Sequence, residues 1–295
     1  MPKPGTSLNK NPEKLKKAVR IAFIIIAAAA AICILYGFLV EPKLLFERRF
    51  SLDLENGEVA ELTQTDDPAH RLKIVTLADL HIGYGTPISY IEKLVSEVNA
   101  EAPDLILFTG DLKTRSTYLD KRIPEAIAAL SKLEAKYGKF AVYGNHDTFS
   151  AFSEIMKKSG FTLLTNDGEN LEINGQTVFI GGVNSLSLSP NAEKAIKNYK
   201  NPDIGIILAH EPDLAREFSG KTQNALILSG HLHGGQINLP ILTKWWLTSG
   251  GKGNLMIDGF YNFGGNKVYV SSGIGMSVIP ARFNAPPQFE VVYIK

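Results

Sequence analysis

Leu72-Lys73-Ile74-Val75-Thr76-Leu77-Ala78-Asp79-Leu80-His81 is the stretch on which the fold turns. Its first seven residues are an apolar run broken only by Lys73 and Thr76, which predicts a strand buried on both faces. The run ends in Asp-Leu-His, so two side chains able to bind a cation or move a proton stand at the C-terminal end of a buried strand. That is where α/β proteins build their sites. The pattern recurs four times. Asp104–Thr109 runs into Gly110-Asp111, and Phe140–Tyr143 into Gly144-Asn145-His146-Asp147. Ile204–Ala209 runs into His210, and Ala225–Ser229 into Gly230-His231-Leu232-His233. Five of the six histidines fall in these strand-end segments; the sixth, His70, lies in a polar loop before the first.

Between the strands the sequence predicts helices at 91–100, 121–136 and 151–158. Leu44–Leu54 alternates as a first strand, turned back at Glu55-Asn56-Gly57, and Asn174-Gly175 joins Leu171–Ile173 to Thr177–Ile180 as a hairpin. Lys267–Ser272 and Gln288–Ile294 close the chain as strands. Early strand–helix alternation followed by strand-rich sequence predicts an α/β domain over 44–295 with helices covering layered sheets.

Ahead of this domain, residues 1–20 carry six basic side chains against one acid, Glu13, and Ile21–Val40 has no charge. Twenty helical residues at about 1.5 Å each match the roughly 30 Å hydrocarbon core of a bilayer. A cleaved signal peptide is the rival reading, since Ala27–Ala31 offers small residues. Cutting there would leave a short apolar core and a mature chain starting Ile32-Cys33-Ile34-Leu35, so an uncleaved single-pass membrane anchor is the expectation. Six basic residues precede the span, whereas Lys43, Arg48 and Arg49 follow it closely; this bias predicts a cytoplasmic N-terminus and an extracytoplasmic domain.

The whole chain of 295 residues has a net charge of +1, which removes the electrostatic case for nucleic acid as main partner. Its single cysteine, Cys33, excludes an internal disulfide and a cysteine-built zinc site. A metal centre here would rest on His, Asp, Glu or Asn. Two divalent cations about 3.5–4 Å apart need a shared oxygen ligand, which a carboxylate provides, and they lower the pKa of bound water toward ~7. A nitrogen and oxygen shell without sulfur suits manganese, iron or zinc.

The five blocks together resemble the calcineurin-like metallophosphoesterases, whose signature DxH…GD…GNHD…H…GHxH stands here at Asp79–His81, Gly110-Asp111, Gly144–Asp147, His210 and Gly230–His233. The resemblance covers roughly 70–295. It extends to the family's bacterial membrane-anchored branch through Gly230–Gln236 and the Arg-Phe-Asn-x-Pro-Pro segment at Arg282–Pro287. It implies a four-layer α/β/β/α sandwich and hydrolysis of a phosphoester by a metal-bound hydroxide. By the same resemblance Asp79, His81, Asp111 and His233 bind the first metal. Asp111 as bridge, Asn145, His210 and His231 bind the second. His146 protonates the leaving oxygen or holds the phosphate, and Asp147 orients its ring. Many relatives read Gly-Asp-x-x-Asp-Arg where this chain has Gly110-Asp111-Leu112-Lys113-Thr114-Arg115; the second Asp is replaced by Thr114, while Arg115 keeps the basic position as a substrate-binding residue.

The only two tryptophans, Trp245 and Trp246, follow the GHxHGGQ block by about ten residues. Tryptophan is enriched at membrane–water interfaces, so they are read either as substrate-binding or lipid-facing residues or as an ordinary packed loop. With the anchor, they favour a lipid or lipid-linked phosphodiester or pyrophosphate as substrate. The resemblance also implies UDP-2,3-diacylglucosamine as an alternative substrate, but that molecule is cytoplasmic and conflicts with the orientation read from the flanking charges. A phosphatase or phosphodiesterase for soluble substrates is the second alternative. A non-catalytic scaffold is disfavoured because all seven ligand positions are filled.

Overall fold

The computed structural model describes residues 12–83, 85–114, 121–147, 149–239, 241–243, 245 and 256–295. Arg115, Trp246 and part of the basic leader lie outside the described residues. Helix α1 (Pro12–Leu39) is 28 residues long, and nearly all of its described side chains are exposed. It is long and apolar enough to cross a membrane.

The strands follow as β1 (Phe46–Leu52), β2 (Val59–Leu62), β3 (Leu72–Leu77), β4 (Leu105–Phe108), β5 (Lys139–Ala141) and β6 (Thr162–Leu163). Then come β7 (Asp167–Ile173), β8 (Gln176–Val183), β9 (Ile204–Ala209), β10 (Leu226–Ser229), β11 (Gly259–Phe263), β12 (Asn266–Val270) and β13 (Gln288–Ile294). Among the described residues they form two sheets, ordered β2-β1-β13-β3-β4-β5-β6 and β11-β12-β10-β9-β8-β7. The last strand is inserted into the middle of the first sheet, parallel to β1 and antiparallel to β3.

Period-two alternation explains the layers. In β3, Ile74 faces the second sheet, while Val75 and Leu77 face the helices α2 (Ile88–Ala100), α3 (Ile123–Leu130) and α4 (Phe149–Lys158). In β9, Ile206 and Leu208 face the first sheet; Ile207 and Ala209 face the opposite layer, with the short helix α5 (Ala192–Ala195) and the 3-10 turns at Pro212–Phe218. Each central strand therefore buries both faces, and its sequence reads as an unbroken apolar run. The result is the expected α/β/β/α order.

Several element boundaries differ from those expected, three of them for visible reasons. Helix α2 starts at Ile88, directly after Pro87. Helix α3 ends at Leu130 instead of continuing to 136: the N–H groups of Lys136 and Tyr137 are taken by the carbonyls of Pro103 and Asp104, at 3.0 and 2.8 Å, which draws the chain toward β5. Strand β12 stops at Val270, and residues 271–275 turn toward the site. The β7–β8 hairpin turns on Asn174 and Gly175, both at positive φ (52° and 78°), as a primed turn requires.

Candidate metal centre

Strands β3, β4 and β5 run parallel in one sheet, and β8, β9, β10 and β12 run parallel in the other. The C-terminal ends of β3, β4, β5, β9 and β10 meet at one edge of the sandwich. Each delivers one of the blocks read from the sequence, so the structure brings Asp79, His81, Asp111, Asn145, His146, Asp147, His210, His231 and His233 together. Five of them, Asp79 (φ 52°), His81 (40°), Asp111 (60°), His231 (75°) and His233 (52°), have a left-handed backbone. Non-glycine residues avoid that region, and its clustering here marks a site whose backbone is held by its surroundings.

Glycines make the approach possible. A Cβ on Gly144 would stand 2.7 Å from the Asp111 Cγ, and one on Gly273 would stand 2.8 Å from the Asp79 Cβ. Neither fits without moving a carboxylate.

The side chains converge in two groups. His81 Nε2 lies 3.1 Å from His233 Nε2, which is 3.7 Å from Asp79 Oδ1. On the other side, Asn145 Oδ1 is 3.0 Å from His210 Nε2 and 2.8 Å from His231 Nδ1. Between them, Asp111 Oδ2 stands 3.4 Å from His81 Nε2 and 3.4 Å from His210 Nε2. Asp79, His81 and His233 are close enough to hold one cation, as are Asp79, Asp111 and His210.

The ring orientations are fixed from behind. His81 Nδ1 donates to the Lys113 carbonyl at 3.2 Å and His210 Nδ1 to the Thr109 carbonyl at 2.9 Å, which turns both Nε2 lone pairs into the pocket. The donor set fits borderline divalent metals: imidazole, carboxylate and amide oxygen without sulfur.

Burial and mutual charge set the electrostatics. Burial pushes Asp79 up to about 7, with the Asp111 charge adding to the rise. Burial also disfavours charge on Asp111, but the His210 and His81 rings outweigh it and hold the carboxyl well below its usual range. The same pairing overcomes burial at His210 and raises it to about 10. Burial depresses His81 to about 4 and takes His233 well below its ordinary value.

His146 sits at the rim. Its backbone N–H donates to Asp111 Oδ1 at 2.8 Å, and its partly exposed ring keeps Nε2 4.0 Å from Asp111 Oδ2 and meets His81 edge-on. Asp147 corrects an expectation. Its carboxylate accepts the backbone N–H groups of Asp111 (2.9 Å), Leu112 (2.9 Å) and Gly144 (2.8 Å) instead of holding the His146 ring. It ties the β4 and β5 turns together, because unpaired amides at two buried turns would be costly. Trp245 is described and exposed, at the end of the segment that leaves the site. Trp246 and Arg115 fall outside the described residues.

One supporting residue escaped the motif reading of the site. Arg282, fully buried, donates to the carbonyls of Ser272 (2.9 Å), Gly273 (3.1 Å), Gly275 (3.0 Å) and Ala285 (2.7 Å), and its Nη2 lies 3.4 Å from His233 Nδ1. Only its place in the Arg282–Pro287 segment hinted at importance.

Comparison with known proteins agrees with this geometry. The calcineurin-like phosphoesterase family matches residues 72–235. YkuE of Bacillus subtilis, an uncharacterized metallophosphoesterase, is 33% identical over 76% of this chain and 79% of its own length. The UDP-2,3-diacylglucosamine pyrophosphatase LpxG of Chlamydia trachomatis is 27% identical over 89% of this chain and 93% of its own. A zebrafish transmembrane protein with a metallophosphoesterase domain is 26% identical over 76% of this chain and 53% of its own. A two-sheet sandwich whose strand ends converge on a metal-ligand cluster defines a metal-dependent phosphoesterase. This chain belongs to the calcineurin-like metallophosphoesterases, hydrolases that act on phosphoesters.

Proposed function

We propose that this protein is a membrane-anchored, two-metal hydrolase that cleaves a phosphodiester or pyrophosphate bond in a lipid or lipid-linked substrate. The observation that carries the two-metal reading is Asp111 Oδ2, equally distant from His81 Nε2 and His210 Nε2 at 3.4 Å each. A carboxylate oxygen centred between two imidazole-bearing groups is placed to bridge two cations. In this reading Asp79, His81, Asp111 and His233 hold the first, and Asp111, Asn145, His210 and His231 the second. Manganese, iron or zinc suits the set. When bound, the pair supplies positive charge for the phosphate and an activated water.

The chain's own residues do the rest. His146, on the rim and tied through its amide to the bridging carboxylate, delivers a proton to the departing oxygen. Asp147 keeps the two turns in register, and Arg115 supplies a basic group for the phosphate. The anchor reading of α1 supports a substrate held in the same membrane, with the domain on its outer side by the charge bias. LpxG favours a second reading, a UDP-linked diacylglucosamine as substrate, which requires a cytoplasmic domain.

Chelation should abolish hydrolysis of a phosphodiester by the full chain in detergent, and Mn²⁺ should restore it; full activity in metal-free buffer would exclude the two-metal reading. Asp111→Ala should lower metal occupancy at both sites, whereas His233→Ala should mainly empty one. A protease-accessibility assay of the C-terminus on intact cells decides between the two substrate readings.

A further inference from the structure

Outside α1 and its exit residue Val40, nine large apolar side chains are exposed among the described residues, and seven of them lie in two short segments. One segment carries Ile237, Leu239, Ile241, Leu242 and Trp245; the other carries Val278 and Ile279. The Gln236 side chain joins them: its Nε2 donates to the Ile279 carbonyl at 2.8 Å, and its Oε1 accepts the Ser277 N–H at 3.0 Å. Between them runs a cleft of about 330 Å³ lined by Ile237, Leu242, Thr243, Val278 and Ile279. Monomeric soluble proteins rarely group exposed apolar side chains in this way.

The patch is continuous with the foot of the apolar helix. Asn238 N–H donates to the Phe283 carbonyl at 2.7 Å and Phe283 N–H to the Gln236 carbonyl at 2.9 Å, while Arg282 N–H donates to the Gly37 carbonyl at 2.9 Å. Tyr36 meets Phe283 edge-on, and Phe46, the eighth exposed apolar residue, lines a cleft with Tyr36 and Phe283. Gly37 lies two residues before the end of α1, about 3 Å along the axis, so the patch stands level with the last turn of the helix. If α1 is in a bilayer, this level is its interface.

We propose that Ile237, Leu239, Ile241, Leu242 and Trp245, with Val278 and Ile279, form a membrane-seated rim that inserts into the acyl region of the leaflet at the C-terminal end of α1. The rim begins four residues after His233 and so holds the metal centre beside the lipid surface. Its occupant is the bilayer itself, because the patch continues the surface of the one element among the described residues that is apolar enough to enter a membrane. The inference rests on the anchor reading of α1 and not on the reaction.

Tryptophan occurs in this chain only as Trp245 of this segment and its sequence neighbour Trp246, so tryptophan emission reports on this stretch of sequence. The full chain is reconstituted into nanodiscs of phosphatidylcholine and phosphatidylglycerol, with or without bromine on the acyl carbons nearest the headgroup. Side chains seated roughly 5–10 Å below the headgroups should lose about half of their emission to bromine. The double variant Ile241→Glu with Val278→Glu, at the two most exposed positions of the rim (84% and 89%), should recover most of it with unchanged melting. The milder Ile241→Gln with Val278→Gln gives the same readout should the charged pair unfold. Emission insensitive to bromine in nanodiscs that hold the protein overturns the rim, as does quenching unaltered in both variants. Tryptophans shielded from bromine and aqueous acrylamide alike would instead show a second copy covering the patch. A chain that fails to enter nanodiscs overturns the anchor reading, and the rim with it.

Discussion

Glu41 Oε1 accepts the backbone N–H of Ala285 at 2.7 Å, and Oε2 that of Asn284 at 3.0 Å. Through this carboxylate the exit of α1 is fastened to the loop whose Arg282 stands behind His233. The apolar helix is therefore attached to the wall of the candidate metal centre, and it is not a tether on a loose linker.

Glu41→Ala would strand the buried Ala285 amide and take the acceptor from the Asn284 amide at an exposed residue. The buried loss costs about 1–3 kcal/mol, so the melting temperature of the full chain in detergent should fall by roughly 3–10 °C. Glu41→Gln keeps one oxygen acceptor and should lose less. Equal melting of E41A and the parent protein would remove the fastening role.

His146→Asn tests proton donation. The variant should retain two metals by elemental analysis, while hydrolysis of an ester with an alkyl leaving group slows by about 10²–10⁴-fold. An aryl ester, whose phenolate leaves without a proton, should be much less affected. Equal losses on both esters together with metal loss would make His146 a packing residue.

Gly144→Ala should disable the centre without touching a ligand side chain. Its Cβ would collide with the Asp111 carboxyl, displacing the residue assigned as bridge. A shift of that kind costs about 10²-fold in rate, and metal content should fall with it. Gly175→Ala, with open space around it in the β7–β8 turn, should keep both metals.

Glu290 carries a pH signature separate from the metal centre. Burial between the sheets raises its carboxyl from 4.5 to about 8, despite hydrogen bonds to Oε1 from Ser271 (2.7 Å) and Gln288 (3.0 Å). A raised acid binds more protons folded than unfolded, so its stabilising contribution is complete below about 4.5 and lost as pH rises through about 8. Glu290→Gln, which mimics the protonated form, should flatten that decline and melt higher than the parent at pH 9. Melting curves across this range check it; an unchanged slope would exclude Glu290 as its source.

Much of this was legible in the linear sequence. Strands β3, β4, β5, β9 and β10 were readable because each is largely buried on both faces and so leaves an apolar run, whereas β6 and the first half of β7, with exposed side chains, left none. The candidate ligands were readable because each closes such a run, and the apolar span because it has no charge over a bilayer's thickness. These are local signals: periodicity, composition and the residue at a strand's end.

Other features exist only through contacts between residues far apart in the chain, which no local pattern encodes. β13 completes the first sheet from the other end of the chain, between β1 and β3. Asp147, expected to hold a ring, instead joins two turns, because folding buries it against three amides that need an acceptor. The left-handed backbones at the centre follow from two sheet edges meeting, which fixes where each ligand must point. Glu41 and Ala285 are 244 residues apart in sequence and 2.7 Å apart in space. The sequence thus determined which elements form and which side chains gather at the candidate metal centre. The tertiary structure decided how those side chains are aimed and what the apolar helix leans on, because both depend on packing that brings distant segments together.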